Sequence, residues 1–240
     1  MNRLECIKSM VNKCNVAADI GTDHGYVAEM LLYDNICEKV IATDLNEGPL
    51  NRAIEYLTSV SLNDKCDFRL GSGLTVLNEN EADTIIIAGM GGELIAEIID
   101  ASKSIAVQAK ELILQPMTTV DKLRQYLIEN NFKIIDENIV KEQHHYYFVI
   151  KAVPGKEEIN EEIYYEISKI ILNKKNPLMF EYLKKIININ ENIIRSIEKN
   201  TSSDYNGKIE TLRKKNEKIR ELMENYSWFC YTIIRKRVKS

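Results

Sequence analysis

The chain of 240 residues contains no apolar run that approaches the roughly 18 residues needed to cross a bilayer. Its first residues, MNRLECIKSMV, lack the basic segment followed by an apolar stretch that marks an export signal. A cytoplasmic protein with no membrane partner is therefore expected. The five cysteines, Cys6, Cys14, Cys37, Cys66 and Cys230, form no CxxC pair. Their odd number and wide spacing argue against a disulfide framework and against a zinc site, so reduced thiols and no metal are expected. Cys37 and Cys66 read as small core or loop residues.

What is present is an ordinary folded composition, 45% hydrophobic and 28% charged. The length allows one domain, or one domain with an appendage. The net charge of −4 hides an asymmetry. Residues 1–150 carry 13 basic against 23 acidic side chains, a balance of −10, while residues 151–240 carry 19 against 13, a balance of +6. A basic appendage on an acidic domain suits a polyanionic partner, and a lysine-rich solvated helical surface would show the same balance.

Over the first 150 residues, short apolar runs alternate with longer helical patterns. The runs are NVAADI (15–20), KVIATDL (39–45), CDFRL (66–70), TIIIAG (84–89) and ELILQ (111–115). Nearly continuous apolar strands of this kind are buried on both faces of a parallel sheet. Helical segments are expected at 25–34, 48–60 with Pro49 in the first turn, 91–103 and 119–130. The alternation predicts a doubly wound α/β sheet. FKIIDENIV (132–140) and HYYFVIKAV (145–153) are joined by too few residues for a helix and read as an antiparallel hairpin at one edge.

After Pro154 and Gly155 the strand signals end, which places a boundary between a domain of residues 1–154 and a helical one of 155–240. Tyr182, Ile186, Ile189 and Ile193 recur at steps of 4, 3 and 4; Ile209, Leu212, Asn216, Ile219, Met223 and Tyr226 recur at 3, 4, 3, 4 and 3. With NTSSDYNG (200–207) as connector, these predict an antiparallel coiled-coil hairpin about 30 Å long. Asn216 would fix its register. The closing WFCYTIIRKRVKS (228–240) is apolar and then basic, and either folds back or lies on RNA.

In a doubly wound sheet, ligands bind at the carboxyl ends of the strands near the point where strand order reverses. The first such end reads Asp19-Ile-Gly21-Thr-Asp23-His24-Gly25. Dinucleotide-binding loops place glycines where Asp23 and His24 stand, because a pyrophosphate must touch backbone N–H groups. A carboxylate there opposes phosphate. It tolerates S-adenosylmethionine, which has no phosphate and carries a sulfonium and an ammonium. Asp44, 25 residues after Asp19, ends the second strand with Leu45 beside it, where a carboxylate can accept both ribose hydroxyl protons. Gly71, Ser72 and Gly73 end the third strand, where an adenine edge would lie. Either acid could instead serve as a helix cap or turn.

The fourth strand end, Ala88-Gly89-Met90-Gly91-Gly92, sets three glycines around one methionine and opens into a helix. Such permissive backbone lets a transferred methyl or its acceptor come close. Enzymes that methylate exocyclic amines of bases commonly carry an Asp/Asn-Pro-Pro-aromatic string here. Its absence leans toward a ring nitrogen as acceptor. Gln115-Pro116 ends the fifth strand and serves either substrate contact or a turn. His144-His145-Tyr146-Tyr147 reads as packing, stacking or acid–base residues; alternation along a strand sends neighbours to opposite faces, so at most half act together.

Together these strings resemble the bacterial tRNA (adenine-22, N1)-methyltransferase family: Arg3 to Glu5, DIGTDHGY (19–26), ATDLNEGPL (42–50), AGMGGELI (88–95), LILQP (112–116) and the two-helix segment after the hairpin. The resemblance covers nearly the whole chain. It implies a Rossmann-like class I S-adenosylmethionine-dependent methyltransferase sheet of five parallel strands plus an antiparallel hairpin, followed by an α-helical coiled-coil hairpin that holds tRNA. Arg3 would then meet the cofactor carboxylate, Asp23 and His24 its methionine end and Asp44 its ribose. Gly91, Gly92, Gln115 and Pro116 would face the substrate base, and Lys214 and Lys215 the tRNA. The family pattern continues Gln-Pro-Asn where this chain has Met117, so no substrate hydrogen bond is assigned to that position. The implied reaction is attack of adenine N1 on the sulfonium methyl, with S-adenosylhomocysteine leaving. Asp23 is the one candidate for stabilising the cationic base or taking its proton. A monomer is expected.

Overall fold

The structure, a computed structural model, describes residues 1–199 and 206–237, with side chains described over 1–199 and 207–225. The expected connector 200–207 and the segment 228–240 lie largely outside the residues so described. Seven strands, Cys14–Ile20 (β1), Cys37–Asp44 (β2), Cys66–Leu70 (β3), Thr84–Gly91 (β4), Glu111–Thr118 (β5), Phe132–Glu142 (β6) and His145–Pro154 (β7), form one sheet in the order β3-β2-β1-β4-β5-β7-β6. The pairs from β3 to β5 are parallel, and β7 runs antiparallel to both β5 and β6. All seven expected strands are present.

The helices are Arg3–Met10 (α1), Tyr26–Tyr33 (α2), Glu47–Ser59 (α3), Gly92–Ala101 (α4), Lys103–Ala106 (α5), Val120–Glu129 (α6), Ile163–Glu166 (α7), Lys169–Asn173 (α8), Pro177–Lys199 (α9) and Asn206–Arg237 (α10). Both sheet faces are covered. Ile7, Leu31, Leu32 and Leu57 of α1, α2 and α3 pack with Val40 and Ile86 on one side; Ile95, Ile99, Leu123 and Leu127 of α4 and α6 pack with Ile85, Ile87 and Leu114 on the other. The expected helix at 91–103 breaks at Ser102, whose φ of −137° and ψ of 45° end α4; its carbonyl then accepts the N–H of Ile105 and begins α5.

Helix α1 was not foreseen. Asn2 Oδ1 accepts the Glu5 N–H at 2.8 Å while Glu5 accepts the Asn2 N–H at 2.7 Å, a reciprocal cap that starts the helix. The Asn-x-x-Glu spacing at residues 2–5 was the available signal.

By internal contacts the chain divides into compact units of Met1–Ile170 and from Ile171 onward, later than the boundary at 154 read from the loss of strand signals. Residues after Pro154 return to the first unit. The Gly155 N–H donates to Asn131 at 2.8 Å, the Ile134 N–H to Glu157 at 2.9 Å, and Arg124 to the carbonyls of Tyr165 and Glu166 at 2.8 and 3.1 Å. Beneath them Arg124 and Glu137 form an ion pair at 2.8 Å, 1% and 3% exposed, and the Ser168 hydroxyl donates to Glu137.

In the second unit, Glu198 meets Arg213 and Glu191 meets Arg220, each at 2.8 Å, so α9 and α10 run antiparallel. Asn216 and Ile219 of α10 are buried, as the seam read from sequence requires. On α9 the buried set is Met179, Leu183, Asn190 and Ile194, whereas Ile189 and Ile193 are 48% and 36% exposed. The expected seam through Tyr182, Ile186, Ile189 and Ile193 is therefore displaced by one residue. Isoleucines stand on both candidate rows, and the buried Asn190 side chain, donating to Asn216 at 2.8 Å, selects the row that contains it.

The buried Arg124–Glu137 pair yields a stability test. Arg124→Met removes the guanidinium that neutralises the buried Glu137 carboxylate and should lower unfolding stability by about 3–5 kcal/mol, read as a fall in the urea midpoint. Combining it with Glu137→Leu should restore much of the loss. A single variant as stable as the parent would show that the pair does not hold residues 155–170 in place.

Candidate functional site

Strand order reverses between β1 and β4: the chain leaves β1 toward β2 on one side, and β4 lies on the other. The carboxyl ends of these two strands thus open a crevice. Asp19 and Ile20 end β1 opposite Ile86 and Ile87 of β4. At Gly21 the backbone turns with φ +76°, and its N–H and that of Thr22 both donate to the Thr43 carbonyl, at 2.9 and 2.8 Å. A Cβ at Gly21 would lie 2.3 Å from Met90 Cε, so the methionine of the fourth strand end lies directly on the first loop. Two strings read separately in the sequence are one surface.

Asp19 forms the floor of this surface. Its side chain is buried and accepts the Thr22 hydroxyl at 2.7 Å. Burial pushes its carboxyl up to about 6, the Thr22 hydrogen bond opposes the rise, and the nearby Asp44 charge adds to it. Asp44, at the end of β2, accepts the Asn46 N–H at 2.9 Å through Oδ1, leaving Oδ2 without a hydrogen-bond partner among the described residues. Leu45, beside it, is 64% exposed. Gly71, Ser72 and Gly73 follow β3 in the adjacent loop; the Gly71 N–H donates to the Asp44 carbonyl at 2.9 Å, and the Ser72 carbonyl accepts the Thr75 hydroxyl at 2.6 Å. Three strand ends therefore carry the predicted cofactor residues to one edge.

Asp23 is held differently from the sequence expectation. It has φ +49°, its carboxylate accepts Arg52 Nη2 at 2.8 Å, and His24 Nε2 lies 3.5 Å away. The His24 ring stacks on Tyr26 at 5.3 Å, and Tyr26 meets Tyr56 edge-on at 5.0 Å. Arg52 and Tyr56 of α3 thus brace the loop. Neither was foreseen, since nothing in local spacing reports that one face of α3 reaches the β1 loop. An Asp23 carboxylate engaged by a guanidinium is a loop-shaping group before it is a base.

The fourth and fifth strand ends are locked together. Ala88 pairs with Gln115 and Met90 with Pro116, so Gly89 is an extra residue in β4 and the strand bulges there. Gln115, fully buried, takes up the freed Gly89 N–H at 3.1 Å. The same Gln115 oxygen accepts Arg3 Nη1 at 2.7 Å, and Met117 Sδ lies 3.5 Å from that nitrogen. Arg3 also donates its backbone N–H to Glu142 at 2.6 Å and sets its guanidinium 5.7 Å from the centre of the Tyr147 ring. The turn reading for Gln115-Pro116 does not hold, because β5 continues to Thr118. Gly91 closes β4 at the edge, half-buried. Gly92 is buried, and a Cβ there would fall 2.3 Å from the Thr119 carbonyl oxygen, so this glycine serves the close approach of α4 to the turn after β5. That close approach accounts for the absence of a side chain at Gly92. Lys214 and Lys215 lie on α10 in the second unit; Lys214 pairs with Glu210 at 2.7 Å.

A family model described as a methyltransferase domain matches residues 1–150. The chain belongs to the methyltransferase-domain family. Among curated relatives, the tRNA (adenine(22)-N(1))-methyltransferase of Bacillus subtilis is 28% identical over 229 residues, 93% of this chain and 96% of the relative. The crystal structure of the B. subtilis m1A22 tRNA methyltransferase TrmK matches with a TM-score of 0.82 and 28% identity over 92% of this chain and 97% of that one. M. capricolum TrmK in complex with S-adenosyl-homocysteine matches with a TM-score of 0.79 and 27% identity over 93% and 97%. Among the described residues no helix is long and apolar enough to cross a membrane, and no cluster of metal-ligating side chains occurs.

The buried acid of this methyltransferase domain gives a measurable pH dependence. Asp19 titrates higher in the folded chain than in the unfolded one, so it favours folding below about pH 4, and this contribution is lost as pH rises to about 6. The loss should be about 3 kcal/mol. Urea midpoints measured across this window should fall with rising pH in the parent relative to Asp19→Asn, since the other carboxylates, Glu81 and Asp83 among them, titrate alike in both. Parallel profiles would contradict the burial of a titrating Asp19.

Proposed function

We propose that this chain transfers the methyl group of S-adenosylmethionine to N1 of adenine 22 in tRNA, giving 1-methyladenosine. The observation that carries the reading is the meeting of the Gly21 loop with Met90 at the strand-order reversal, above one buried carboxyl and beside a second. Similarity over 93% of the chain to a relative of that activity supports it.

The residues present fit the cofactor. Two carboxylates without a phosphate cradle suit a donor that bears a sulfonium and an ammonium. Arg52, which reaches the loop from α3, is already engaged with Asp23 and would not attract a pyrophosphate. When bound, S-adenosylmethionine supplies an activated methyl on its cationic sulfur. Asp44 Oδ2 is free to accept from ribose hydroxyls, with Leu45 beside it and Gly71, Ser72 and Gly73 along the adenine. Asp19, Gly21 and His24 shape the methionine end, and Arg3 takes its carboxylate. Ala88, Gly89 and Met90 line the path of the methyl, and Gly91, Gln115 and Pro116 lie on the acceptor side.

The protein's contribution to the reaction is placement: reacting atoms held at near-attack distance need little else when the leaving group is already activated. Adenine N1 lies on the pairing edge, so the base must be unpaired or drawn out of the tRNA fold. The second unit, with its excess of basic side chains, holds the tRNA as a coiled-coil hairpin through a surface that includes Lys214 and Lys215.

Labelled methyl transfer to two tRNA transcripts tests the reading, one with adenine 22 and one with guanine there. Label should enter the first alone, and label in both or in neither would overturn the assignment. In the same assay, Lys214→Glu combined with Lys215→Glu should raise the tRNA KM roughly tenfold and reduce its salt dependence, with cofactor affinity unchanged. An unchanged KM would place the tRNA elsewhere.

A further inference from the structure

The hairpin joining β6 to β7 pairs Glu142 with His145, Lys141 with Tyr146 and Val140 with Tyr147. Because β7 runs antiparallel to β5, with Leu114 opposite Ile150, residues 145–147 lie at the carboxyl end of β5, the edge that carries Pro116 and the Gly89 bulge. Alternation divides the aromatic cluster. His145 and Tyr147 share a face, with ring centroids 6.3 Å apart, while Tyr146 lies over Lys141 at 5.3 Å.

The shared face is tied to the methyl-transfer edge by an unbroken series of contacts. Tyr147 carries the Arg3 guanidinium at 5.7 Å, Arg3 donates to Gln115 at 2.7 Å, and Gln115 accepts from Gly89 at 3.1 Å. Arg3 is fixed at its other end by Glu142 of the same hairpin. Tyr147 is half-buried and packs its inner side on the core below, whereas His145 is exposed and meets the Tyr147 ring. Met117, 42% exposed, adds a polarisable apolar surface beside the guanidinium.

An adenine presented through N1 has given up its pairing partner and its neighbours in the stack. Recognition of such bases rests on aromatic rings and guanidinium planes, which replace the lost stacking without reading sequence. We propose that the His145–Tyr147 face of the hairpin, backed by Arg3, is a stacking surface for an unpaired nucleobase of the RNA substrate beside the point of methyl transfer. The proposal rests on the tRNA reading above and adds a substrate subsite to it. It also gives the hairpin a role apart from closing the sheet edge.

Steady-state methylation of tRNA by the full chain tests it, with cofactor affinity measured separately by calorimetry. Tyr147→Leu keeps an apolar side chain and removes the ring; it should raise the tRNA KM by about 10–100-fold, well beyond any loss of cofactor affinity passed on through Arg3. Tyr147→Phe should restore the parent value. His145→Ala, at an exposed position that does not threaten folding, should raise the tRNA KM by a smaller factor. Unchanged tRNA KM in both Tyr147→Leu and His145→Ala, with an active parent, would overturn the subsite and leave the tRNA reading intact. Equal losses of cofactor affinity and tRNA KM in Tyr147→Leu would overturn it too, since they would mark a structural role. A parent chain that transfers no methyl to tRNA would overturn the underlying reading, and the subsite with it.

Discussion

The placement of β4 beside β1, with β2 on the far side of β1, is the constraint on which the rest of the structure depends. It separates the two connections that leave these strands and exposes their carboxyl ends to each other. The Gly21 loop and Met90 meet only because of it, and Asp19 becomes a floor residue only because Ala42 and Ile86 flank it in the ladder. The bulge at Gly89 lies at the same edge, in the pairing of β4 with β5. Gly89 stands outside the ladder, its N–H donates to the Gln115 side chain, and that glutamine also holds Arg3.

Around this edge, buried charge is used sparingly and with partners. Arg124 and Glu137 neutralise each other beneath residues 155–170, and Lys151 pairs with Glu111 at 2.7 Å while also donating to the Met10 carbonyl at 2.9 Å. Both pairs lie away from the crevice and join peripheral segments to the sheet. Asp19 differs: it is buried without a cationic partner among the described residues, and burial outweighs the Thr22 hydroxyl's hydrogen bond and pushes its carboxyl up to about 6. A carboxyl kept poorly solvated in this way gains most from a cationic ligand, which supplies the counter-charge that the protein withholds.

Much of this was legible in the sequence because the strands are apolar on both faces and end in glycine or acid, a pattern that needs no knowledge of partners. The candidate cofactor edge was legible for the same reason: Asp19, Gly21, Asp44 and Gly89 each lie within two residues of the end of a strand. What was missed depends on contacts between distant elements. Arg52 reaches Asp23 from another helix, and the seam of α9 is chosen by Asn190 finding Asn216, when isoleucines would have filled either row. The close approach of Gly92 to the Thr119 carbonyl is likewise a contact that no local string reports. The division of the His-Tyr cluster was half legible: alternation separates neighbours, but only the fold shows that His145 and Tyr147 take the face toward Arg3.

The central claim is that the crevice between the ends of β1 and β4 holds the methyl donor with its reactive end toward the Gly89 bulge. A crystal structure of the chain with S-adenosylhomocysteine tests this most directly. The account predicts the ribose hydroxyls on the Asp44 carboxylate and the thioether sulfur against Gly89 and Met90. A nucleoside bound at another edge of the sheet, or a ribose that leaves Asp44 without contact, would contradict it.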